Sequence, residues 1–302
     1  MLRGLVEKKT YVPAKRFLIN LVKSPAAIAH QIFPTPNLDA QLVFVLSFPR
    51  SGTTALASIF TRPEAQLDYH GEFFAFNAWT RENERLSWKY PFFTTVYHRN
   101  FVKQKKSWKN YRYESSVLDP VRTIRAWMQI PGVHVIKVFP NQISDEHLGQ
   151  IIAKYRPAVV FLRRNHLDRM VSNMKANQSG TWHNKSTEEQ RVDVDFAALE
   201  KTKKEHEDFY KKFKSRVVKN GCEFVDVDYS EVFKPENVAS ILDLICPETA
   251  SIRGAQPPSP STKKQDTSTI NQDNFFAKIA AQGIKRKKSD YDFALFEATD
   301  AR

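Results

Sequence analysis

The run Leu42-Val43-Phe44-Val45-Leu46 leads directly into Phe48-Pro49-Arg50-Ser51-Gly52-Thr53-Thr54, and this join constrains the chain more than any other feature. Five consecutive apolar residues fit a strand buried on both faces, as in a parallel sheet. The glycine turn then gives way to Thr53-Thr54-Ala55-Leu56-Ala57-Ser58-Ile59-Phe60, which reads as a helix whose first hydroxyls cap it. Strand, glycine turn and helix in that order form the first half of a parallel crossover unit.

Buried-strand patterns recur at Val133 to Phe139, Ala158 to Leu162 and Cys222 to Val227. Helical spacing lies between and beyond them, at His147 to Tyr155, His166 to Ala176, the long charged stretch Asp195 to Val218, and Pro235 to Leu244. The alternation predicts an α/β fold, a three-layer sandwich around a central parallel sheet. Asn83 to Ser116, aromatic and basic, and Ala255 to Thr269, with its prolines and hydroxyl residues, read as insertions around the sheet. We therefore expect a single domain over residues 41–302, with residues 1–40 as an N-terminal helical extension packed on it.

The chain has 302 residues, of which 41% are hydrophobic, enough for a sizeable core. Lys and Arg number 46 against 33 Asp and Glu, a net charge of +13 that favours a polyanionic partner: a nucleotide, a nucleic acid, an anionic glycan or a membrane surface. Two cysteines give no disulfide framework and no four-cysteine zinc site. The charge-broken N-terminus carries no signal-peptide core, and Phe17 to Phe33 is too interrupted to span a bilayer. A cytoplasmic location follows as the expectation, with a membrane-peripheral helix as its variant.

The turn after the first strand has the chemistry of an anion cradle. Backbone N–H groups at a helix start, the Thr53 and Thr54 hydroxyls, Ser51, Gly52 and the Arg50 guanidinium would converge on a phosphate or sulfate. The loop lacks the second glycine and the lysine of the nucleotide triphosphatase pattern. A second basic helix start follows the strand ending at Leu162, where Arg164 and Ser172 lie eight residues apart. A guanidinium and a hydroxyl suit a dianionic phosphate.

Together these two segments resemble the donor-binding motifs of sulfotransferases that use 3'-phosphoadenosine-5'-phosphosulfate (PAPS). In that family the first loop holds the 5'-phosphosulfate and the second Arg and Ser hold the 3'-phosphate. The stretch Asn177-Gln178-Ser179-Gly180-Thr181-Trp182-His183 and the C-terminal Lys263-Lys264-Gln265-Asp266 are similar to the bacterial trehalose-type and nodulation-factor-type carbohydrate sulfotransferases. The resemblance implies a P-loop-like sulfotransferase fold, Trp182 stacked on adenine and Lys264 beside the 3'-phosphate. It also implies PAPS as co-substrate without a metal, and a hydroxylated acceptor, a carbohydrate or glycolipid, rather than nucleic acid.

The general base is where the chain departs from the cytosolic branch. Ile136-Lys137-Val138-Phe139-Pro140 is similar to the Lys-Thr-His run of those enzymes, but Phe139 stands where they carry the catalytic histidine. Glu72, in His70-Gly71-Glu72-Phe73-Phe74, resembles the catalytic glutamate of the trehalose-type enzymes, and its apolar neighbours suit it to taking a proton from an alcohol. His70 is the local rival for that role. The catalytic set is thus Glu72, Arg50 and Lys137. His147, His166 and His183 read as surface residues, and Lys285-Arg286-Lys287-Lys288 as a solvated basic tail. A phosphate-loop kinase and a non-catalytic polyanion binder are the two alternatives from other classes.

Overall fold

The computed structural model describes residues 40–61, 67–72, 74, 120–128, 131–140, 142–180, 190–245 and 269–293. The expected N-terminal extension except Ala40, both proposed insertions except the end of the second at Thr269, and Trp182, His183 and Lys264 lie outside these residues. Among the described residues five strands run parallel in the order β2-β3-β1-β4-β5, with β1 Ala40–Leu46, β2 Asp68–Tyr69, β3 Gly132–Val138, β4 Ala158–Arg163 and β5 Phe224–Asp228. Among the described residues the helices are α1 Thr53–Phe60, α2 Pro120–Trp127, α3 Asp145–Tyr155, α4 His166–Ser179, α5 Phe196–Lys219, α6 Pro235–Ile245 and α7 Thr269–Ala281.

Side-chain alternation along the strands divides the core into two layers. Leu42, Phe44 and Leu46 of β1 join Ile136, Val138, Val159 and Phe161 on one face, covered by Ile124 and Trp127 of α2, Ile151 and Ile152 of α3, and Phe213 and Val217 of α5. Val43 and Val45 face the other way with Val135, Val160 and Leu162, against Leu56 and Ile59 of α1 and Ile241 and Ile245 of α6. A third cluster joins Leu167 and Val171 of α4 to Leu199, Phe275, Ile279 and Tyr291. The result is the expected α/β arrangement of a parallel sheet between helical layers.

Several local expectations shift. Helix α1 begins at Thr53, but its N-cap is Gly52 in a left-handed conformation (φ 91°), and no side chain caps the helix. His166 is fully buried rather than on the surface, because α5 and the C-terminal segment cover the first turn of α4; its ring lies 4.0 Å from that of Phe293. The basic stretch Lys285–Lys288 is exposed, as expected, but its end is anchored to the domain. Asn165 Nδ2 donates to the Lys288 carbonyl at 3.1 Å and to Asp292 Oδ1 at 2.7 Å, and Tyr291 is buried just beyond.

The sheet order determines where a ligand can sit. From β1 the chain builds one side of the sheet with β2 and β3, then crosses back to place β4 on the other side of β1. A crevice outside the carboxyl ends of strands at such a reversal is the usual ligand site of open α/β sheets. The turns into α1 and α4, leaving adjacent parallel strands, both open there.

Candidate active site

The loop after β1 is built by its backbone. Ser51 N donates to the Phe48 carbonyl at 3.2 Å, and Arg50 and Gly52 both adopt positive φ, 70° and 91°. For Arg50 that conformation carries a cost, of the kind that persists at functional sites when the surroundings enforce it. Enforcement comes from two arginines: Arg164 Nη1 donates to the Arg50 carbonyl at 2.9 Å, and Arg169 Nη1 to the Pro49 carbonyl at 3.4 Å. On the far side a Cβ at Gly52 would collide with the Cδ2–Cε2 edge of the Tyr229 ring, so only glycine fits between loop and ring. With no side chain capping α1, the N–H groups of its first turn are oriented for an anion.

The two basic motifs meet directly. Arg50 Nε donates to Ser172 Oγ at 3.1 Å, across 122 residues of sequence, and the Arg164 guanidinium lies 4.9 Å above the centre of the Tyr229 ring. Burial lowers the pKa of Arg50, and the neighbouring Arg164 lowers it further. Burial likewise lowers Arg164, while Tyr229, Asp168 and Asp228 oppose the shift. Arg169 is brought down to about 10 by burial, which outweighs the opposing effect of Tyr210, and Arg164 lowers it further. Three guanidiniums drawn together against their mutual repulsion make a site that an anion would stabilise.

Glu72 reaches this site from the other half of the sheet. Its Oε1 lies 2.8 Å from Lys137 Nζ, and Lys137 also donates to Thr53 Oγ1 at 3.2 Å. Glu72 Oε2 accepts from Gln142 Nε2 at 3.0 Å. The expected apolar setting is therefore not what surrounds this carboxylate. Phe74 turns into the core, whereas Glu72 turns toward Lys137, because β2 lies alongside β3 in parallel register. Thr53, assigned to anion binding, accepts from Lys137, and Thr54 is exposed beside it.

The rival His70 is oriented away from the anion loop. It is fully buried, with Nε2 3.3 Å from His134 Nδ1 and its ring 3.7 Å from that of Trp127, whereas the Glu72 side chain is 34% exposed. Phe139, which the sequence resemblance sets against the histidine of the cytosolic branch, is buried with Lys137 Nζ 5.2 Å from its ring centre. Among the described residues no group of three or more His, Cys, Asp and Glu side chains could hold a metal ion. No helix among them is long and apolar enough to cross a membrane.

The sequence reading missed three residues of this site. Arg169 follows Arg164 by five residues and shares the buried side of α4 with Ser172, so helical spacing could have found it. Tyr229 directly follows β5, and Gln142 is three residues beyond Phe139; neither position carries a local signal of its use.

No curated protein and no solved structure matches the chain. The family described as the sulfotransferase family matches residues 42–242, a span that begins within β1, ends within α6 and includes Arg50, Glu72, Lys137, Arg164 and Ser172. With that match extending over more than half of its length, on a parallel α/β sheet with a basic anion cradle at the strand ends, the chain belongs to the sulfotransferase family.

Proposed function

We propose that this protein transfers the sulfuryl group of PAPS to a hydroxyl of a carbohydrate or glycolipid, as in the trehalose-type and nodulation-factor-type branch that its sequence resembles. One observation carries the reading: Lys137 joins Glu72 to Thr53 of the anion loop, while Arg50 of that loop bonds Ser172 of the second motif. A carboxylate, a lysine and two phosphate-type sites then share one crevice.

PAPS supplies an activated sulfuryl group and a good leaving phosphate. Arg50, Ser51, Gly52, Thr53 and Thr54 would hold its 5'-phosphosulfate, and Arg164 and Ser172 its 3'-phosphate. Trp182 and Lys264, outside the described residues, are assigned to adenine and to the 3'-phosphate. Glu72 accepts the hydroxyl proton as the acceptor oxygen bonds to sulfur. The bond from sulfur to the bridging oxygen breaks, and its electron pair leaves on adenosine 3',5'-bisphosphate. Lys137, Arg50 and the first N–H groups of α1 stabilise the charge that grows on that oxygen. We assign this chemistry to one domain over residues 41–302, in the cytoplasm.

Incubation with trehalose and other neutral sugars, with either PAPS or ATP as donor, tests the reading by mass spectrometry. A sugar heavier by one sulfuryl group, formed only with PAPS, is expected. A phosphorylated sugar formed from ATP, with no product from PAPS, would replace the reading with a kinase.

A further inference from the structure

We infer that Gln142 is a positioning residue that holds Glu72 through one carboxylate oxygen and leaves the other for proton transfer, an inference that rests on the reading of Glu72 as the base. Gln142 is fixed by the turn that ends β3. Its backbone N–H donates to the Phe139 carbonyl at 3.0 Å, and the Phe139 N–H donates to its Oε1 at 3.0 Å. With its amide oxygen used in this way, the NH2 group faces Glu72 and donates to Oε2 at 3.0 Å. The side-chain orientation is thus set by two partners and by burial of Gln142 itself.

Glu72 needs such a holder. It directly follows the last ladder contact of its segment, where Lys137 N donates to the Gly71 carbonyl, and Gly71 has a positive φ of 59°. A one-third-exposed glutamate at a strand end retains rotamer freedom, and a misplaced base forfeits rate. Lys137 also holds Glu72, but it is shared with Thr53 and is assigned to charge growing on the donor. Gln142 carries no charge and is assigned no role on the donor. It keeps Oε2 through the reaction, while Oε1 passes from Lys137 to the acceptor's proton. Being neutral, it orients the carboxylate without adding a second cation beside a group that must take up a proton.

The turn beyond Phe139 thus supplies support to a base that lies just beyond a different strand, β2. Where the cytosolic branch places its histidine, this chain has an apolar ring, and the side chain that reaches the reaction site comes three residues later.

The test is a double-mutant cycle of Q142E and E72Q, read as single-turnover sulfation at saturating PAPS with melting temperature alongside. Q142E keeps an oxygen for the Phe139 N–H but replaces the donor to Glu72 by a second carboxylate, so the neutral Q142L, which removes the donor without adding charge, is carried through the same cycle and should give the same coupling. We expect Q142E to slow the chemical step about tenfold or more with donor affinity unchanged, and to slow E72Q no further. A near wild-type rate in Q142E, or a loss that multiplies with that of E72Q, would overturn the role of Gln142 while leaving Glu72 as the base. A near wild-type rate in E72Q would overturn the base itself, and the inference with it. Should Q142E fail to fold, Q142L alone decides; equal loss in the wild-type and E72Q backgrounds again means a structural role only.

Discussion

Acid should loosen this fold through two imidazoles packed behind the anion loop. His166 and His206 are buried with ring centres 5.5 Å apart, and His206 stacks on Phe48 at 3.5 Å. Burial, reinforced by Arg169 and, for His166, by Lys203, depresses His166 to about 3 and His206 to about 2. The facing carboxylate, Glu207, lies 3.8 Å from His166 Nε2 and is itself raised by burial. Both imidazoles thus stay neutral in the folded chain while the unfolded chain protonates them near pH 6.5. Stability is complete above that value and declines as pH falls toward the folded values. Between pH 7.5 and 5.5 each histidine costs about 1.4 kcal/mol, and the pair about 3 kcal/mol. Glu207, raised by burial, acts in the opposite sense.

Urea denaturation of the wild type and of His206→Phe at both pH values isolates one of the two. Phenylalanine preserves the stack on Phe48 and removes the titration. The wild type should lose about 1.4 kcal/mol more than the variant between pH 7.5 and 5.5. Equal losses would mean that the folded chain accommodates a proton on His206, and the argument from burial would fail. The effect should extend to the site, because Arg169 Cζ lies 5.8 Å from the Phe48 ring centre and its Nη1 bonds the Pro49 carbonyl.

Gly52→Ala should destabilise by about 1–2 kcal/mol for the left-handed backbone and by a further 1–3 kcal/mol, roughly, for overpacking against Tyr229. In a Tyr229→Ala background only the backbone part should remain, and an undiminished cost measured in urea would show that the ring does not press on the loop. Dialysis against EDTA should leave sulfation intact, since basic side chains are assigned to the charge on the donor; loss of turnover that magnesium restores would contradict that assignment.

What the sequence made legible was local. The five apolar residues of β1 and the bounds of α1, Thr53–Phe60, follow from the run, the glycine and the helical spacing, all within twenty residues. The site is less legible, because the sheet order assembles it. Glu72 has phenylalanine neighbours in sequence, yet its partners are Lys137 and Gln142, which reach it only because β2 pairs with β3. A two-residue edge strand such as β2 has no periodicity to reveal it. His166 looks exposed at a polar helix start, and His206 of α5 with Phe293, 127 residues later, makes it interior. Gly52 shows both limits: a glycine signals a turn, but not that the ring of Tyr229 occupies the space of its missing Cβ.

On the proposed function, two distant motifs form one site for a nucleotide with phosphates at both 3' and 5' positions. Calorimetry of adenosine 3',5'-bisphosphate against 5'-AMP, on the wild type and on Arg164→Ala, tests it most directly. A charge-assisted contact of about 1.5–3 kcal/mol predicts that the wild type prefers the bisphosphate by at least tenfold. Arg164→Ala should erase most of that preference; because Arg164 also donates to the Arg50 carbonyl, 5'-AMP binding should weaken as well, and the ratio of the two affinities is the readout. Equal wild-type affinities for the two nucleotides would contradict the assignment of Arg164 and Ser172, and with it the claim that this crevice is a PAPS site.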